Sequence, residues 1–597
     1  MTDSLTPDIN MLRRSVAELA AQLDAEATAR RAEIEAALPK HRASARNLAH
    51  YLGMRQHDVK ALQLALAAVG LSSLGRSEGN VRNTVDWLSK WLSGMSGGPS
   101  SPADYPDAVS AEQLLHTNAR ALLGPRPKDR HVYIMVTAPE AGLATEAWAD
   151  GLIAGGANLL RINAAHESPG DWAEIIALFR ARAEAAQVPV RVIVDLPGPK
   201  LRTEIVQRED GLLHLPRRKD ALGRTLGSTR VQLVVEASAA DELPVPAAWL
   251  RKFRDGDELR VMQPDGRERS LTVKVDARGR VSAETSRSIY VQGGAAIAWR
   301  RDASCIALAH VGALPDQPRL IRLSDGDRFV VNAHGESADP DTVALALGAK
   351  ELLAGVRAGE RVMLDDGRIV AVVESVGPEG LRCRVTGTVK PAVRLRSGKG
   401  IAFPDTALSM PALGEDDERA LAFALEHADG VGVSFVNTAE DVDRVGERIR
   451  LAGRPGFGMI LKLETRAALD HLPAILFRAL RYDPVGLMIA RGDLAMDVGF
   501  ERLAEMQEEL LWFGEACHLP VVWATQVLES VTHSGLPTRA EVTDAAMSMR
   551  AECVMLNRGP HVDVANRLLA DIIRRMETHQ FKKRSLYRRL SLAGPVH

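Results

Sequence analysis

GMILKLETRAALDHLPAILFRALRYDPVGLMIARGDLAMDV, residues 458–498, decides the fold. A β-rich run at 458–464 leads into an Ala/Leu/Arg-rich helical stretch, and a second β-rich run follows at 486–494. Continuous apolar runs of this length suit buried parallel strands. Working outward, six more runs of the same kind occur at 131–138 (HVYIMVTA), 158–164 (NLLRINA), 190–196 (VRVIVDL), 430–436 (GVGVSFV), 520–526 (PVVWATQ) and 553–557 (CVMLN). Apart from one long gap they recur about every 30 residues, with Ala/Leu/Glu/Arg-rich helical stretches between. Eight βα units argue for a closed (β/α)8 barrel, an α/β TIM barrel. A doubly wound open sheet is the alternative. The count of eight and the lack of G-x-G-x-x-G favour the barrel.

The long gap, 205–395, falls after the third strand. It holds few helix signals and many turns, among them RDGDELRV, PDGRER, LSDGDRF and DDGRIV. That composition predicts a β-rich inserted domain. Residues 250–275 and 353–376 share the order leucine, R-x-G-D/E, DGR and a valine-rich strand, so the insert is a candidate duplication. Before the barrel, Pro7 to about Leu38 reads as a helix, with Thr6 as cap, and further helices follow to about Leu92. GMSGGPSSPADYPD, 94–107, reads as a boundary. The expected organisation is a helical N-terminal module at 1–93, a linker at 94–127 and the first part of the barrel at 128–204. The insert at 205–395, the second part of the barrel at 396–580 and a basic tail at 581–597 complete it.

The 597 residues exceed one ordinary domain. Aromatics are only 4%, so the cores must be built from Ala, Leu, Val and Ile. A net charge of −2 gives no global basic field toward nucleic acid or an anionic membrane. The four cysteines are far apart and form no C-x-x-C pair, which argues against a disulfide framework or structural zinc. No long apolar run suggests a span or leader, so a cytoplasmic setting is the default expectation.

A barrel's chemistry lies at the C-terminal ends of its strands. Those ends carry Arg161, Asn163, Asp195, Ser434, Lys462, Glu464, Arg491, Asp493, Thr525 and Gln526. Strands used only as core would not end repeatedly in charges. Lys462 and Glu464, two residues apart, point to the same side of their strand. Carboxylates at Glu464 and Asp493 form part of an octahedral Mg²⁺ shell, leaving the rest to substrate oxygens and water. A lysine beside such a metal can neutralise charge on a phosphoryl group in transfer.

At these residues the sequence resembles the pyruvate kinase family. The stretches are GANLLRINAAH (156–166), VDLPGPKLRTE (194–204), DDGRI (365–369), SGKGIAFP (397–404), ILKLET (460–465), MIARGDLAMDV (488–498), WATQVLESV (523–531), PTRAEVTDAA (537–546) and CVML (553–556), in the family's order. The resemblance implies a TIM barrel with a β-domain inserted after strand three. It implies phosphoryl transfer from phosphoenolpyruvate to ADP, in glycolysis, by an enzyme using Mg²⁺ or Mn²⁺ and forming a homo-oligomer of unstated order. Glu464 and Asp493 match the divalent-metal ligands, Lys462 the lysine on the phosphoryl group, and Arg161 the arginine that binds it. Arg202 and Lys399 match cations on the nucleotide-phosphate side, and Asn163 and His166 match nucleotide-site residues. The segment Ala490, Arg491, Gly492 and Asp493 would hold the substrate carboxylate, and Thr525 matches the threonine near the carbon that must be protonated. Asp366, on the insert, belongs to a lid. Another metal-dependent enzyme of phosphoenolpyruvate or an enolate, a lyase or transferase, is an alternative, as is a non-catalytic ligand-binding relative.

Departures from the family pattern carry expectations of their own. Ala165 and Leu196 replace the serine and threonine that help to hold K⁺, while Lys200 replaces an acidic residue. The lysine ammonium is expected to stand in for the ion, bonded to Asp195 or Asn163, so that K⁺ is not required. S-G-E-T after the eighth strand becomes Asn557, Arg558, Gly559 and Pro560, and Asn437 replaces an arginine. About 40 residues follow the eighth strand, enough for a closing helix and a basic tail but not for the family's C-terminal regulatory domain. Sugar-phosphate activation is accordingly not expected.

Overall fold

A computed structural model describes residues 9–585, except 73, 95–103, 210, 218–226, 240, 277–278, 303, 340–341, 348–352, 407–412 and 583. The chain forms two compact units, one made of residues up to 200 and from 407 onward, the other of 201–406. Most of the basic tail, 586–597, lies outside the described residues, as does much of the Gly/Ser/Pro-rich boundary.

In the first unit eight parallel strands close into a barrel: β1 (Tyr133–Thr137), β2 (Leu159–Asn163), β3 (Arg191–Asp195), β4 (Gly430–Val433), β5 (Gly458–Leu463), β6 (Val485–Ala490), β7 (Val521–Ala524) and β8 (Cys553–Leu556). Neighbours pair in sequence order and β1 closes on β8. The (β/α)8 expectation therefore holds, and the open sheet is excluded. One strand is shorter than its sequence suggests. The run at 486–494 leaves the sheet at Ala490, and Arg491–Val498 is a helix with Asp493 in its first turn. A carboxylate there is favoured by the helix dipole.

The N-terminal module consists of α1 (Ile9–Ala29), α2 (Arg31–Ala36), α3 (Arg42–Arg55), α4 (Lys60–Ala68) and α5 (Val81–Leu92). Its buried face, including Leu12, Leu19, Leu23, Leu48 and Leu88, is continuous with the apolar layer around the barrel. Buried polar groups fix the docking. Asn47 donates to the carbonyls of Glu78 and Ala516 and accepts from Val81 N–H. His518 lies 3.0 Å from Ser44 Oγ and 2.8 Å from the Gly79 carbonyl. A carbonyl only accepts, so Nε2 carries the proton and Nδ1 accepts from Ser44.

A sixth helix, α6 (Ala108–Leu123), occupies the stretch expected to be linker. Its last turn plugs the bottom of the barrel, where Ala119, Leu122 and Leu123 join Met135, Leu159, Ile193, Ile460 and Met488 in one cluster. Gly458 and Gly486, at the starts of β5 and β6, make room for the plug. A Cβ on either would meet a Leu122 methyl at 2.5 Å.

The second unit is β-rich. Its boundaries lie outside the expected 205–395 because strands Arg202–Thr203 and Lys399–Ala402 pair with each other and join its sheet. One seven-stranded sheet runs 242–244, 229–234, 281–285, 268–275, 258–262, 296–301, 304–310. The other runs 343–346, 328–332, 380–388, 369–377, 361–364, 399–402, 202–203. In each, the first two strands are parallel and the remaining five links antiparallel. Each is flanked by a two-stranded pair, 212–215 with 289–292 and 321–323 with 393–395.

The four cysteines are free thiols, and among the described residues no helix is long and apolar enough to cross a membrane.

Burial drives the His518 imidazole down from 6.5 to about 4, and His50 likewise. The fold thus keeps His518 neutral while the unfolded chain protonates it near its ordinary value. This contribution is complete above pH 6.5 and is lost as pH falls toward 4. Between pH 7 and pH 5 it amounts to about 2 kcal/mol. Thermal melts at the two values are expected to show a smaller acid-induced drop in His518→Gln, which keeps a donor and an acceptor without titrating, than in the parent chain. An equal drop in both would count against this role.

Candidate active site

The centre of the barrel mouth is the Asp195 carboxylate at the end of β3, which is fully buried. Room for it comes from the neighbouring strand: a Cβ at Gly432 would lie 2.1 Å from Asp195 Oδ1. Arg161, on β2, donates from Nε to Asp195 Oδ2 at 2.7 Å and from Nη1 to Thr137 Oγ1 at 3.2 Å. Lys462, on β5, brings Nζ to 3.5 Å from the same Asp195 oxygen, 3.1 Å from Glu464 Oε1 and 2.8 Å from Ser434 Oγ. Ser434 in turn donates to the Leu196 carbonyl. Burial alone would raise the Asp195 carboxyl, but Arg161 and Lys462 outweigh it and hold the group below its ordinary value. Burial would likewise lower Lys462, and Glu464 and Asp195 outweigh that, so its ammonium stays charged.

Glu464 extends from the end of β5 and accepts from Phe435 N–H at 2.6 Å. Its carboxyl is pushed up by burial and, against the pull of Lys462, by the nearby charge of Asp493. A buried carboxylate raised by a neighbouring carboxylate is a place where a hard cation fits. Among the described residues no group of three or more His, Cys, Asp or Glu is arranged to hold a metal.

Asp493 is the half-exposed member of this pair, and Lys200 Nζ donates to its Oδ1 at 2.7 Å. This differs from the expected bond to Asp195 or Asn163. The reason is electrostatic: Asp195 is already matched by Arg161 and Lys462, whereas Asp493 faces Glu464 and needs a cation of its own. The helix that carries Asp493 has Ala490 at its N-cap, which brings no side-chain acceptor to the first-turn N–H groups. Those groups are open to an anion.

Thr525 follows β7 with φ +73°, and Gln526 and Leu528 are also left-handed. For a β-branched residue this backbone is costly, on the order of 1–3 kcal/mol. Asn163 and His166 line a cavity of about 280 Å³ beside Arg161, together with His533 and Arg558. The segment in place of S-G-E-T is tied down here, with Asn557 donating to Glu529 at 3.0 Å and Arg558 paired with Glu167 at 3.0 Å. Asn437 accepts from the Thr465 hydroxyl.

Arg202, Lys399 and Asp366 belong to the second unit. Arg202 Nη1 donates to the Gly398 carbonyl at 2.9 Å, and Lys399 Nζ lies 2.7 Å from Asp365 Oδ1. Asp365 and Asp366 both have positive φ in the DDGR turn.

Two contributors escaped sequence reading. Thr137 braces Arg161 and donates to the Leu556 carbonyl, tying β1 to β8. Asp544, inside PTRAEVTDAA, forms a two-bond pair with Arg491 at 2.6 and 2.9 Å. The only signal for Asp544 was its place in a motif, and nothing in the local pattern said which arginine it would meet.

A family model described as pyruvate kinase, barrel domain, matches residues 281–560. Pyruvate kinase 2 of Synechocystis sp. is 32% identical over 254 residues, 41% of this chain and 41% of the relative. A pyruvate kinase of Mycobacterium tuberculosis is 35% identical over 263 residues, 41% of this chain and 53% of the relative. A third, from Methylorubrum extorquens, is 34% identical over 238 residues, 39% of this chain and 47% of the relative. The chain thus spans about half the length of the curated relatives it matches.

Asp195→Asn keeps the shape of the side chain and removes the anion shared by Arg161 and Lys462. Unfolding in urea is expected to show a loss of about 3 kcal/mol, the scale for breaking a buried ion pair on one side. A change below about 0.5 kcal/mol would show that Asp195 does not hold the mouth together.

Proposed function

Because the chain belongs to the pyruvate kinase family, we propose that its barrel mouth transfers the phosphoryl group of phosphoenolpyruvate to ADP, giving pyruvate and ATP, with Mg²⁺ or Mn²⁺ and without K⁺. The observation that carries this reading is Lys462, a buried ammonium kept charged between Glu464, Asp195 and Ser434. A fixed, desolvated cation of this kind is suited to a phosphoryl group in flight, because it needs no reorganisation as charge develops. Arg161, braced by Asp195 and Thr137, has guanidinium N–H groups left for phosphate oxygens. The open N–H groups of Arg491, Gly492 and Asp493 suit the substrate carboxylate.

Glu464 and Asp493 would hold the divalent ion, which when bound neutralises charge on the oxygens of the substrate. After transfer the enolate of pyruvate would remain, and Thr525 would pass a proton to its methylene carbon. Asn163 and His166, beside the 280 Å³ cavity, take the nucleotide side. In the second unit Arg202, Lys399 and Asp366 keep the phosphate-side and lid roles that the resemblance gives them. The shared strand order of the two seven-stranded sheets supports a duplication within this unit. On that reading the second copy, with DDGRI, carries the functional motif. The first has PDGRE at the corresponding hairpin and serves another end.

Lys200 supports the absence of a K⁺ requirement. Its ammonium, at 2.7 Å from Asp493, adds a permanent positive charge to the mouth, and Ala165 and Leu196 offer no side-chain oxygen to an ion.

Purified protein with phosphoenolpyruvate, ADP and Mg²⁺ is expected to release pyruvate in a coupled assay; none at all would overturn the reading. Asp493→Asn and Glu464→Gln should each lower kcat/KM at least about a hundredfold with melting unchanged. Lys462→Met should abolish phosphoryl transfer while partly sparing exchange of the methyl protons of pyruvate. Near-normal turnover of Asp493→Asn at saturating Mg²⁺ would refute the metal assignment.

In K⁺-free buffer with a tetramethylammonium counter-ion, added K⁺ is expected to stimulate turnover by at most about twofold. Lys200→Glu should weaken the enzyme without restoring full K⁺ activation, since the ligand oxygens are still missing. Tenfold stimulation of the parent enzyme would refute the role given to Lys200.

A further inference from the structure

Arg491 is part of the segment that would hold substrate, yet its side chain is buried and committed elsewhere. Nε donates to the Ala524 carbonyl at 2.8 Å, and Nη2 donates to the Thr525 carbonyl. Both terminal nitrogens donate to Asp544, at 2.6 and 2.9 Å. The guanidinium also lies over the Trp523 ring, 4.8 Å from its centroid. Arg491 therefore grips the main chain at the two residues where β7 ends, and Asp544, from helix Arg539–Ser548, grips Arg491. The gripped residues include the left-handed, β-branched Thr525. The same segment flanks the Thr525 side chain, because a Cβ at Gly492 would lie 2.9 Å from Thr525 Cγ2. A costly backbone persists only where its surroundings over-determine it. Here an arginine–carboxylate pair and a glycine supply such contacts.

We propose that Asp544 is a positioning residue: acting through Arg491, it fixes the main chain at Thr525 and so aims the hydroxyl that protonates the enolate. The inference rests on the pyruvate kinase reading. In the step it serves, a proton passes along the Thr525 hydroxyl to the methylene carbon of the enolate. The carbon–carbon π pair becomes the new C–H bond, and the threonine oxygen regains its proton from solvent. Asp544 touches neither substrate nor proton. An asparagine in its place keeps the size but loses the second acceptor oxygen and the charge that orient the arginine fork.

The test is a double-mutant cycle between Asp544→Asn and Thr525→Ala, read in kcat, in KM for phosphoenolpyruvate and in the solvent deuterium isotope effect on kcat. In the parent background Asp544→Asn is expected to lower kcat about tenfold or more with KM changed less than about twofold, and to raise the isotope effect as protonation becomes rate-limiting. In the Thr525→Ala background the same change should cost less than about twofold. Arg491→Lys, which keeps the charge but not the fork, should behave in the cycle as Asp544→Asn does; it supplies the answer if Asp544→Asn fails to fold. Equal losses in both backgrounds, or a kcat within about twofold of the parent, would overturn the inference while leaving the activity intact. A parent enzyme with no turnover would overturn the activity reading and this inference with it.

Discussion

Burying a carboxylate away from water costs several kcal/mol unless cations meet it, and that requirement at Asp195 organises the barrel mouth. Four consecutive strands cooperate in meeting it. Arg161 comes from β2, the carboxylate from β3, and the space from Gly432 on β4, where no side chain fits. Lys462 from β5 completes the cluster and brings Glu464 within 3.1 Å. Lys462 therefore owes its charge first to Glu464 and next to Asp195. On the proposed reading, the cation offered to a phosphoryl group is held in place by an anion that need not touch that group.

The same logic extends outward, through one pair of like charges. Glu464 faces Asp493, and Asp493 takes Lys200. Arg491, next to them, takes Asp544. Arg161 with Asp195, Lys200 with Asp493 and Arg491 with Asp544 each join different elements, so the strand ends are tied to one another by side chains as well as by the sheet. The bottom of the barrel is fixed by packing instead. There the apolar tip of α6 fills the interior, and two glycines clear its path.

How much of this could be read beforehand follows from the range of the interactions. The eight strands were legible because a parallel strand buried on both faces writes itself as a local apolar run, as VRVIVDL and GMILKL do. The proximity of Lys462 and Glu464 was legible for a similar reason, since two residues apart on a strand means the same face. The end of β6 was not. MIARGDL is apolar enough to continue as strand, and only the first-turn carboxylate at Asp493 hints that the chain has turned to helix. Helix α6 was hidden by its flanks, because the Gly/Ser/Pro-rich stretch before it extended the reading of a linker over a helix with an ordinary Asp107 cap. Lys200 was assigned the right neighbourhood and the wrong partner. Its choice depends on which carboxylate is already neutralised, which is a property of the assembled cluster and not of the GPK segment.

Asp544 shows the same limit from the other side. It lies 53 positions from Arg491, and nothing within a helical or strand period of either residue records the pair. What the sequence does record is the set of constraints around it: a glycine at 492 where a Cβ would press on Thr525, and a tryptophan at 523 whose ring receives the guanidinium. Small residues and aromatics next to polar side chains at strand ends are easily read as filling. In this barrel they are the shape that a buried arginine needs if it is to hold two carbonyls and a carboxylate at once, and that demand explains why an arginine, with five donors in a planar fork, occupies a position that lysine could not serve.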